Sequence, residues 1–545
     1  MAKFTLEKIF INGTIITMDK NFSLKKALGL NGRYIYATGE KEELLAHCKK
    51  NTQIIDLQGR TVLPGFIDPH SHFMRTGLYD TFVVNLASPP VGKITTIDEI
   101  INKLRESAKN VPENSWIFGY MYDDTLLKEQ RHPTAKDLDR SSFQHPIFIR
   151  HVSGHLAALN TRALDILHIN RDTSSPLGGR ICKDDSGNPT GLLQGEPAMH
   201  IAEERLPQWT SKHWLKGVER ASSIYAAKGV TTAQEGDAYP GDYELLLRAN
   251  AKNLLKPRIQ IFPNWNFPEE LKKYPSSRRG TALTEDYMLS LGAVKLYQDG
   301  SIQGYSGYLS QPYYKYLPGT ETGSTGEPRH PPEIFDNILE EAQKQGWQIA
   351  VHANGDQAIE EVINGLEKAQ KKSPREDNRH IIIHCQTVRE DQMDRMQQLG
   401  IIPSFFATHI YFWGDRHKQI FLGPERAERI SPCKSAVDRG MIFTCHNDTY
   451  ITPIDPLLSV WTAVTRQTYG GNCLGGELKI PIEDALRSVT SHAAYQCGEE
   501  AIKGSLEAGK LADLVILEEN PLDISPEKIK DIAISETIRG GENIF

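Results

Sequence analysis

Along the middle of the chain, short apolar runs alternate with longer segments of helical amphipathic spacing. The apolar runs fall at 61–67, 229–234, 258–263, 292–297, 348–352, 380–384, 401–406 and 441–445. Between them, segments such as 332–346, 356–369 and 389–400 repeat apolar residues three and four apart, which marks one face of a helix. Runs that are apolar at nearly every position suit strands buried on both faces of a parallel sheet. Eight strand–helix alternations predict an α/β fold, a (β/α)8 TIM barrel whose reacting groups sit at the C-terminal ends of its strands. An open doubly wound sheet is the alternative, but no glycine-rich phosphate-binding turn follows an early strand.

The two chain ends have a different texture. Asn12-Gly13 is a hairpin turn signal between strand-like stretches at 8–11 and 14–18, and a second, Asn31-Gly32, precedes another at 34–37. Near the other end, the turn-like stretch 504–510 leads into an apolar stretch at 512–517. Chain termini often lie close together, so residues 1–61 and 496–545 are expected to build one small β-sandwich domain, with the barrel over 62–495. The interval between the first two apolar runs is too long for a simple βα connection. It contains its own strand-like and helical pieces and predicts a large insertion after strand 1, about 74–228, over the barrel mouth.

Composition narrows the classes. The 545 residues are 39% hydrophobic and 24% charged, ordinary for a soluble globular protein. A net charge of −7 without a basic tract speaks against nucleic acid as a partner. No apolar run approaches the roughly 18 residues that span a bilayer, and charges at Lys3 and Glu7 come too early for a signal-peptide core. The seven scattered cysteines, odd in number and without a Cys-x-x-Cys, read as reduced thiols. A cytoplasmic protein with a small-molecule substrate and no membrane partner is expected.

Polar residues interrupt this pattern at one end of the strands. His70 and His72 close Leu63-Pro64-Gly65-Phe66-Ile67-Asp68-Pro69-His70-Ser71-His72, and residues two apart on a strand share a face. With 18 histidines in the chain, chance placement gives about 0.6 His-x-His pairs, so this pair needs support from elsewhere. Lys295, His352, His384 and Asp448 supply it, each at or just beyond the end of a later run. Singly, such a histidine can be a structural hydrogen-bonder, Asp448 a helix cap and Lys295 a snorkelling side chain. Together, imidazole and carboxylate at recurring strand ends suit a divalent ion such as zinc. A lysine inside a buried strand loses hydration and is costly unless paired or chemically altered.

At these residues the chain resembles the amidohydrolase superfamily, and more closely its YtcJ-like, N-substituted formamide deformylase-like branch (amidohydrolase 3). The motif ending in His72 carries this resemblance, with Val294-Lys295-Leu296-Tyr297-Gln298-Asp299-Gly300-Ser301, Val351-His352-Ala353-Asn354-Gly355-Asp356-Gln357-Ala358-Ile359, Ser153-Gly154-His155-Leu156-Ala157-Ala158-Leu159-Asn160 and Ala508-Gly509-Lys510-Leu511-Ala512-Asp513-Leu514-Val515. The resemblance covers nearly the whole chain. It implies a binuclear metal centre, with His70, His72 and Asp448 around one ion, His352 and His384 around the other, and Lys295 bridging them as a carboxylated lysine. Many superfamily members place Ser or Thr before the strand-eight aspartate, whereas here Asn447 stands there. A homodimer is compatible with this class.

The function expected is a metal-dependent amidohydrolase that hydrolyses an amide, formamide or cyclic amide C–N bond through a metal-activated hydroxide. Asp448 would take the proton of the attacking water and pass it to the leaving nitrogen. The same site could serve ester or lactone hydrolysis or isomerisation, or the barrel could bind a small molecule without catalysis, because fold does not fix reaction. His155, Gln303 and His409 are candidates for substrate binding. Arg466 either meets an acidic substrate or forms a helix-surface salt bridge. Glu235 and His446 are candidates for orienting metal ligands. Tyr297, Tyr305, Tyr308, Tyr313, Tyr314 and Tyr316, with Trp265 and Trp413, suggest a pocket for an apolar or aromatic substituent, or else pack their loops.

Overall fold

Gly65 divides the first apolar run between two sheets. In the computed structural model, which describes residues 6–154, 156–176, 179–315 and 323–545, Thr61–Pro64 runs antiparallel to Leu514–Leu517. Phe66–Ile67 instead runs parallel to Val230–Ala238. The reading of 61–67 as one strand is corrected accordingly. A Cβ on Gly65 would lie 2.2 Å from Thr231 Cγ2 and 2.3 Å from its Oγ1, so only glycine lets the backbone approach this closely as it changes sheet.

The chain forms two compact units, Met1–Met74 with Ala221–Phe545, and Arg75–Arg220. In the first, both chain ends contribute to one six-stranded sheet, ordered Glu542–Asn543, Ile534–Arg539, Leu514–Leu517, Thr61–Pro64, Thr14–Ile16 and Leu24–Lys25. A four-stranded sheet of Tyr34–Gly39, Ala27–Asn31, Lys8–Ile11 and Gln53–Asp56 shares its core. Phe10, Leu28 and Leu30 of the smaller sheet meet Ile15, Val62, Leu514 and Ile516 of the larger one. Full burial of each such large side chain contributes about 1.5–3 kcal/mol.

The remaining strands of this unit are parallel. One sheet runs Leu289–Leu291, Arg258–Pro263, Val230–Ala238, Phe66–Ile67, and another Val294–Tyr297, Ile349–Ala353, Ile381–His384, Ile402–Phe405, Thr444–Cys445. Helices Pro332–Lys344, Asp356–Lys372 and Glu390–Leu399 alternate with the strands of the second sheet. The expected strand 292–297 begins only at Val294, because the chain leaves its pairing with Arg258–Pro263 after Leu291 and joins Ile349–Ala353 from Val294; a Cβ on Gly292, between the two, would lie 2.1 Å from the Phe262 ring. An isolated parallel bridge, Asn264 to Lys295, connects the two sheets.

Among the described residues the ladders do not close into one continuous cylinder. The last strand is only Thr444–Cys445; the His446 N–H still donates to the Phe405 carbonyl at 3.0 Å, and the chain then turns at Asp448 (φ 51°). From there Asp448 N–H donates to the His70 carbonyl at 3.3 Å, a loop contact in place of a ladder.

The second unit holds a six-stranded sheet, ordered Arg180–Lys183, Pro189–Gln194, Leu156–Leu159, Ile147–His151, Ile117–Tyr122 and Val83–Asn85. Its helix Ile97–Ala108 starts in a capping box, with Thr96 Oγ1 accepting the Glu99 N–H and the Glu99 carboxylate accepting the Thr96 N–H. Ile97, Ile100, Ile101 and Leu104 form one helix face and pack with Ile117, Ile147 and Ile149. Among the described residues no helix is long and apolar enough to cross a membrane.

Candidate metal centre

His70 and His72 lie just beyond Phe66–Ile67, and Asp448 lies just beyond Thr444–Cys445. Asp448 Oδ1 stands 3.5 Å from His70 Nε2 and 3.4 Å from His72 Nε2. Donors held at about 2.0–2.2 Å from a tetrahedral ion are about 3.3–3.6 Å from one another, so both of these separations suit ligands of one ion, and ligand atoms of the three residues all lie within 4.8 Å of one another. Lys295 Nζ lies 3.4 Å from His70 Nε2 and 4.8 Å from the centre of the Tyr297 ring. His352 Nδ1 and His384 Nε2 face each other at 3.0 Å, and the His70 and His384 ring centres are 5.7 Å apart. All six residues picked from the sequence thus gather in one cluster.

The backbone is bent to achieve this. His384 (φ 71°), Cys385 (φ 48°) and Asp448 (φ 51°) all adopt the left-handed region. Such positions cost non-glycine residues about 1–3 kcal/mol and persist where the surroundings over-determine them. Gly236 makes the complementary concession. A Cβ there would lie 2.5 Å from His70 Nδ1 and 2.6 Å from its Cε1, so the imidazole can lie against Val230–Ala238 only because that position has no side chain.

Burial and mutual charge set the protonation states. Burial pushes the Asp448 carboxyl up, but the His72 hydrogen bond and the charges of His72, His446 and Lys295 outweigh it and hold it at about 2. Burial, against the pull of Asp237 and Asp448, draws Lys295 down to about 8. Burial and then Lys295 lower His352 to about 4, and His70 and His384 fall well below their ordinary range, mainly through burial. Neutral imidazoles around a carboxylate are what a divalent cation needs.

Between pH 6.5 and about 4 the buried His352, His380, His417, His446 and His492 bind more protons unfolded than folded, outweighing Asp68 and Asp299, which burial raises to about 7, so acidification through that window destabilises the metal-free protein. His352 alone contributes about 3 kcal/mol across it. Thermal melting of metal-free protein should show a steep fall in Tm below pH 6.5, and a flat profile down to pH 4.5 would contradict it.

The other sequence candidates divide. Glu235 lies in Val230–Ala238, accepts the Met74 N–H at 2.7 Å and bridges to His72. His446 Nε2 lies 3.1 Å from His384 Nδ1. His409 is buried, its ring 6.2 Å from that of His384. Among the described residues, its Nδ1 and the buried Oε1 of Gln303 have no hydrogen-bond partner. His155 and Tyr316 lie outside the described residues.

Arg466 is corrected on both counts: it is shut off from solvent, and among the described residues it forms no ion pair with an acidic side chain. It is buried and donates to the carbonyls of Leu474, Ser431, Glu428 and Ile430. Tyr305 and Tyr313 pack with Ile302, Leu309 and Phe421, which favours the packing reading for those two. Asn447 binds the Asp455 carbonyl and Ser459 Oγ, pinning the loop to the following helix.

Sequence reasoning passed over Asp237 and the structural role of Asp299. Asp237 accepts from Tyr297 Oη and Asn264 Nδ2, both at 2.7 Å. Asp299 accepts the backbone N–H groups of Tyr308, Asn354 and Gly355 and so ties together the loops after two strands. Its place inside the Gln298-Asp299-Gly300 motif was the available signal.

In the second unit Asp123, Asp124 and His151 also lie close enough to share an ion. There, however, the Ser153 N–H donates to His151 Nδ1 at 3.1 Å, which leaves the proton on Nε2, 3.0 Å from Asp124 Oδ1. That proton already satisfies the pair without a metal.

Comparison with known proteins gives a consistent picture. The family described as Amidohydrolase family matches residues 53–545. The chain is 26% identical over 538 residues to an N-substituted formamide deformylase of Arthrobacter pascens, covering 98% of this chain and 97% of the other. It is 27% identical over 560 residues to YtcJ of Bacillus subtilis, covering 99% of each. A solved structure of an uncharacterized metal-dependent hydrolase from Pyrococcus horikoshii OT3 superposes with a TM-score of 0.75 at 25% identity, covering 95% of this chain and 99% of that one.

Proposed function

The chain belongs to the amidohydrolase family, and on that premise we propose that it is a metal-dependent hydrolase of carbon–nitrogen bonds in amides, formamides or cyclic amides. The observation that carries this is the convergence of His70, His72 and Asp448 at ion-ligand spacing beside Lys295, His352 and His384. In this reading His70, His72 and Asp448 hold one ion, and His352 and His384 a second. The histidine–carboxylate donor set suits zinc. A divalent ion held there would supply Lewis acidity, lowering the pKa of water towards neutrality and polarising a carbonyl oxygen. Asp448, anionic throughout the physiological range, takes the proton of the attacking water and returns it to the leaving nitrogen.

Lys295 is assigned as a carboxylated lysine. With its amine drawn down to about 8, a fraction is neutral near pH 7 and can add carbon dioxide with release of a proton. A buried cation thereby becomes an anionic donor. The unsatisfied His409 Nδ1 and Gln303 Oε1 are assigned to the substrate's polar groups. The two parallel sheets are read as the halves of one (β/α)8 barrel (62–495), with 74–228 as its insertion and 1–61 with 496–545 as a β-sandwich. The name of the A. pascens relative supports formamides as the first substrates to try.

The test is a panel of formamides, other N-acyl compounds, cyclic amides, esters and lactones, assayed before and after chelation. Hydrolysis of an N-acyl compound or formamide should vanish on chelation and return with zinc. Turnover confined to esters or lactones, or undiminished by complete metal removal, would overturn the proposal.

A further inference from the structure

A line of hydrogen bonds runs behind the candidate metal centre, from the segment that carries His70 to His384. Gln496 Nε2 donates to the Pro69 carbonyl at 2.9 Å. Thr444 Oγ1 lies 2.7 Å from Gln496 Oε1 and 2.9 Å from Ser404 Oγ. Ser404 Oγ lies 3.0 Å from His446 Nδ1, and His446 Nε2 lies 3.1 Å from His384 Nδ1. Gln496, Thr444, Ser404, His446 and His384 are all buried.

The direction of these bonds is not free. A carbonyl only accepts, so Gln496 turns its NH2 to Pro69 and presents Oε1, which also only accepts, to Thr444. The single hydroxyl proton of Thr444 must therefore go to Gln496. Ser404 then has to donate to Thr444 Oγ1, and with that proton committed it can only accept from His446 Nδ1–H. A neutral His446 is left with a bare Nε2, which accepts from His384 Nδ1–H. The outcome is a bare Nε2 on His384, the nitrogen that faces His352 Nδ1 at 3.0 Å. Reversing the line at any link would set two acceptors against each other in a dry interior.

We infer that Gln496, Thr444 and Ser404 are positioning residues that, through His446, keep the proton off the metal-facing nitrogen of His384. This rests on the proposed metal reading, in which that nitrogen is a ligand. A ligating imidazole offers a lone pair on one nitrogen, and its other N–H is almost always held by a hydrogen-bond partner. Here the choice is fixed by one amide whose anchor, the Pro69 carbonyl, adjoins His70. The same amide thus also holds the backbone next to His70.

Zinc affinity and stoichiometry of the full-length protein, measured by competition with a chromophoric chelator, test this without any activity assay. Thr444→Val removes the hydroxyl that takes the Ser404 proton. Ser404 is then expected to donate to His446 Nδ1, reversing the relay and placing a proton on His384 Nε2. One zinc equivalent should weaken by roughly 10–100-fold, the usual range for outer-shell partners, while cooperative melting is retained.

The Ser404→Ala/Thr444→Val double variant removes the donor that drives the reversal and should bind zinc more tightly than Thr444→Val alone. A purely structural role predicts the opposite order. Gln496→Met, which takes away the acceptor for Thr444, should reproduce the loss and serves if Thr444→Val fails to fold. Wild-type zinc affinity in both Thr444→Val and Gln496→Met, or a double variant no tighter than the single one, would overturn the inference. Wild-type protein that bound no divalent ion would instead refute the metal reading itself.

Discussion

Asp448→Asn should lower turnover by roughly 10²–10⁴-fold, the range for a lost general acid–base group, while most of the metal stays bound. Asparagine keeps an oxygen where Asp448 Oδ1 now stands between His70 Nε2 and His72 Nε2, so a donor of the same reach remains. What disappears is the charge, and with it the ability to take a proton from water. The carboxylate is available to accept a proton because the His72 hydrogen bond and neighbouring positive charge keep it ionised against the effect of burial. It is thus ionised throughout the physiological range. Steady-state kinetics and metal analysis on the same preparation decide the matter. Wild-type turnover in the variant would refute the proton-transfer role.

Lys295→Met should move stability and function in opposite directions. Lys295 is almost fully buried, and burial draws its amine from 10.5 to about 8. Folding therefore carries a penalty of about 3 kcal/mol near pH 7, relieved only as pH rises from about 8 to 10.5. Methionine fills similar volume with no charge, so metal-free Lys295→Met should melt at a higher temperature than metal-free wild type. Turnover should nevertheless collapse, because the donor assigned between the two ions is gone. A residue whose removal strengthens the fold and abolishes activity is retained for chemistry. A less stable variant that still turned over at the wild-type rate would contradict this account.

The parts of the molecule that were legible in sequence are those where one physical demand acts alone. Parallel strands covered on both faces are rich in apolar residues, and 258–263, apolar apart from Arg258 and Gln260, matches the observed Arg258–Pro263. Polar residues at the ends of such strands stand out against that background, and His70, His72, Lys295, His352, His384 and Asp448 are indeed neighbours in space. The resemblance read from those motifs is borne out by the family match across 53–545.

What was hidden depends on contacts between distant segments. Nothing local at Gly65 or Gly292 announces that Thr231 or the Phe262 ring will press against them, so two strands were drawn through breaks. Arg466 looked like a surface or substrate-facing charge because sequence does not show four carbonyls turned towards it. Gln496, Ser404 and Thr444 belong to no motif. Their significance is the polarity of a chain of hydrogen bonds, a property that exists only once the fold has closed.

The most direct measurement is anomalous scattering from a metal-replete crystal, with data collected on both sides of the zinc absorption edge. The account predicts a strong peak within coordination distance of His70 Nε2, His72 Nε2 and Asp448 Oδ1, and a second beside His352 and His384. A well-ordered crystal with only solvent density between those side chains would contradict it.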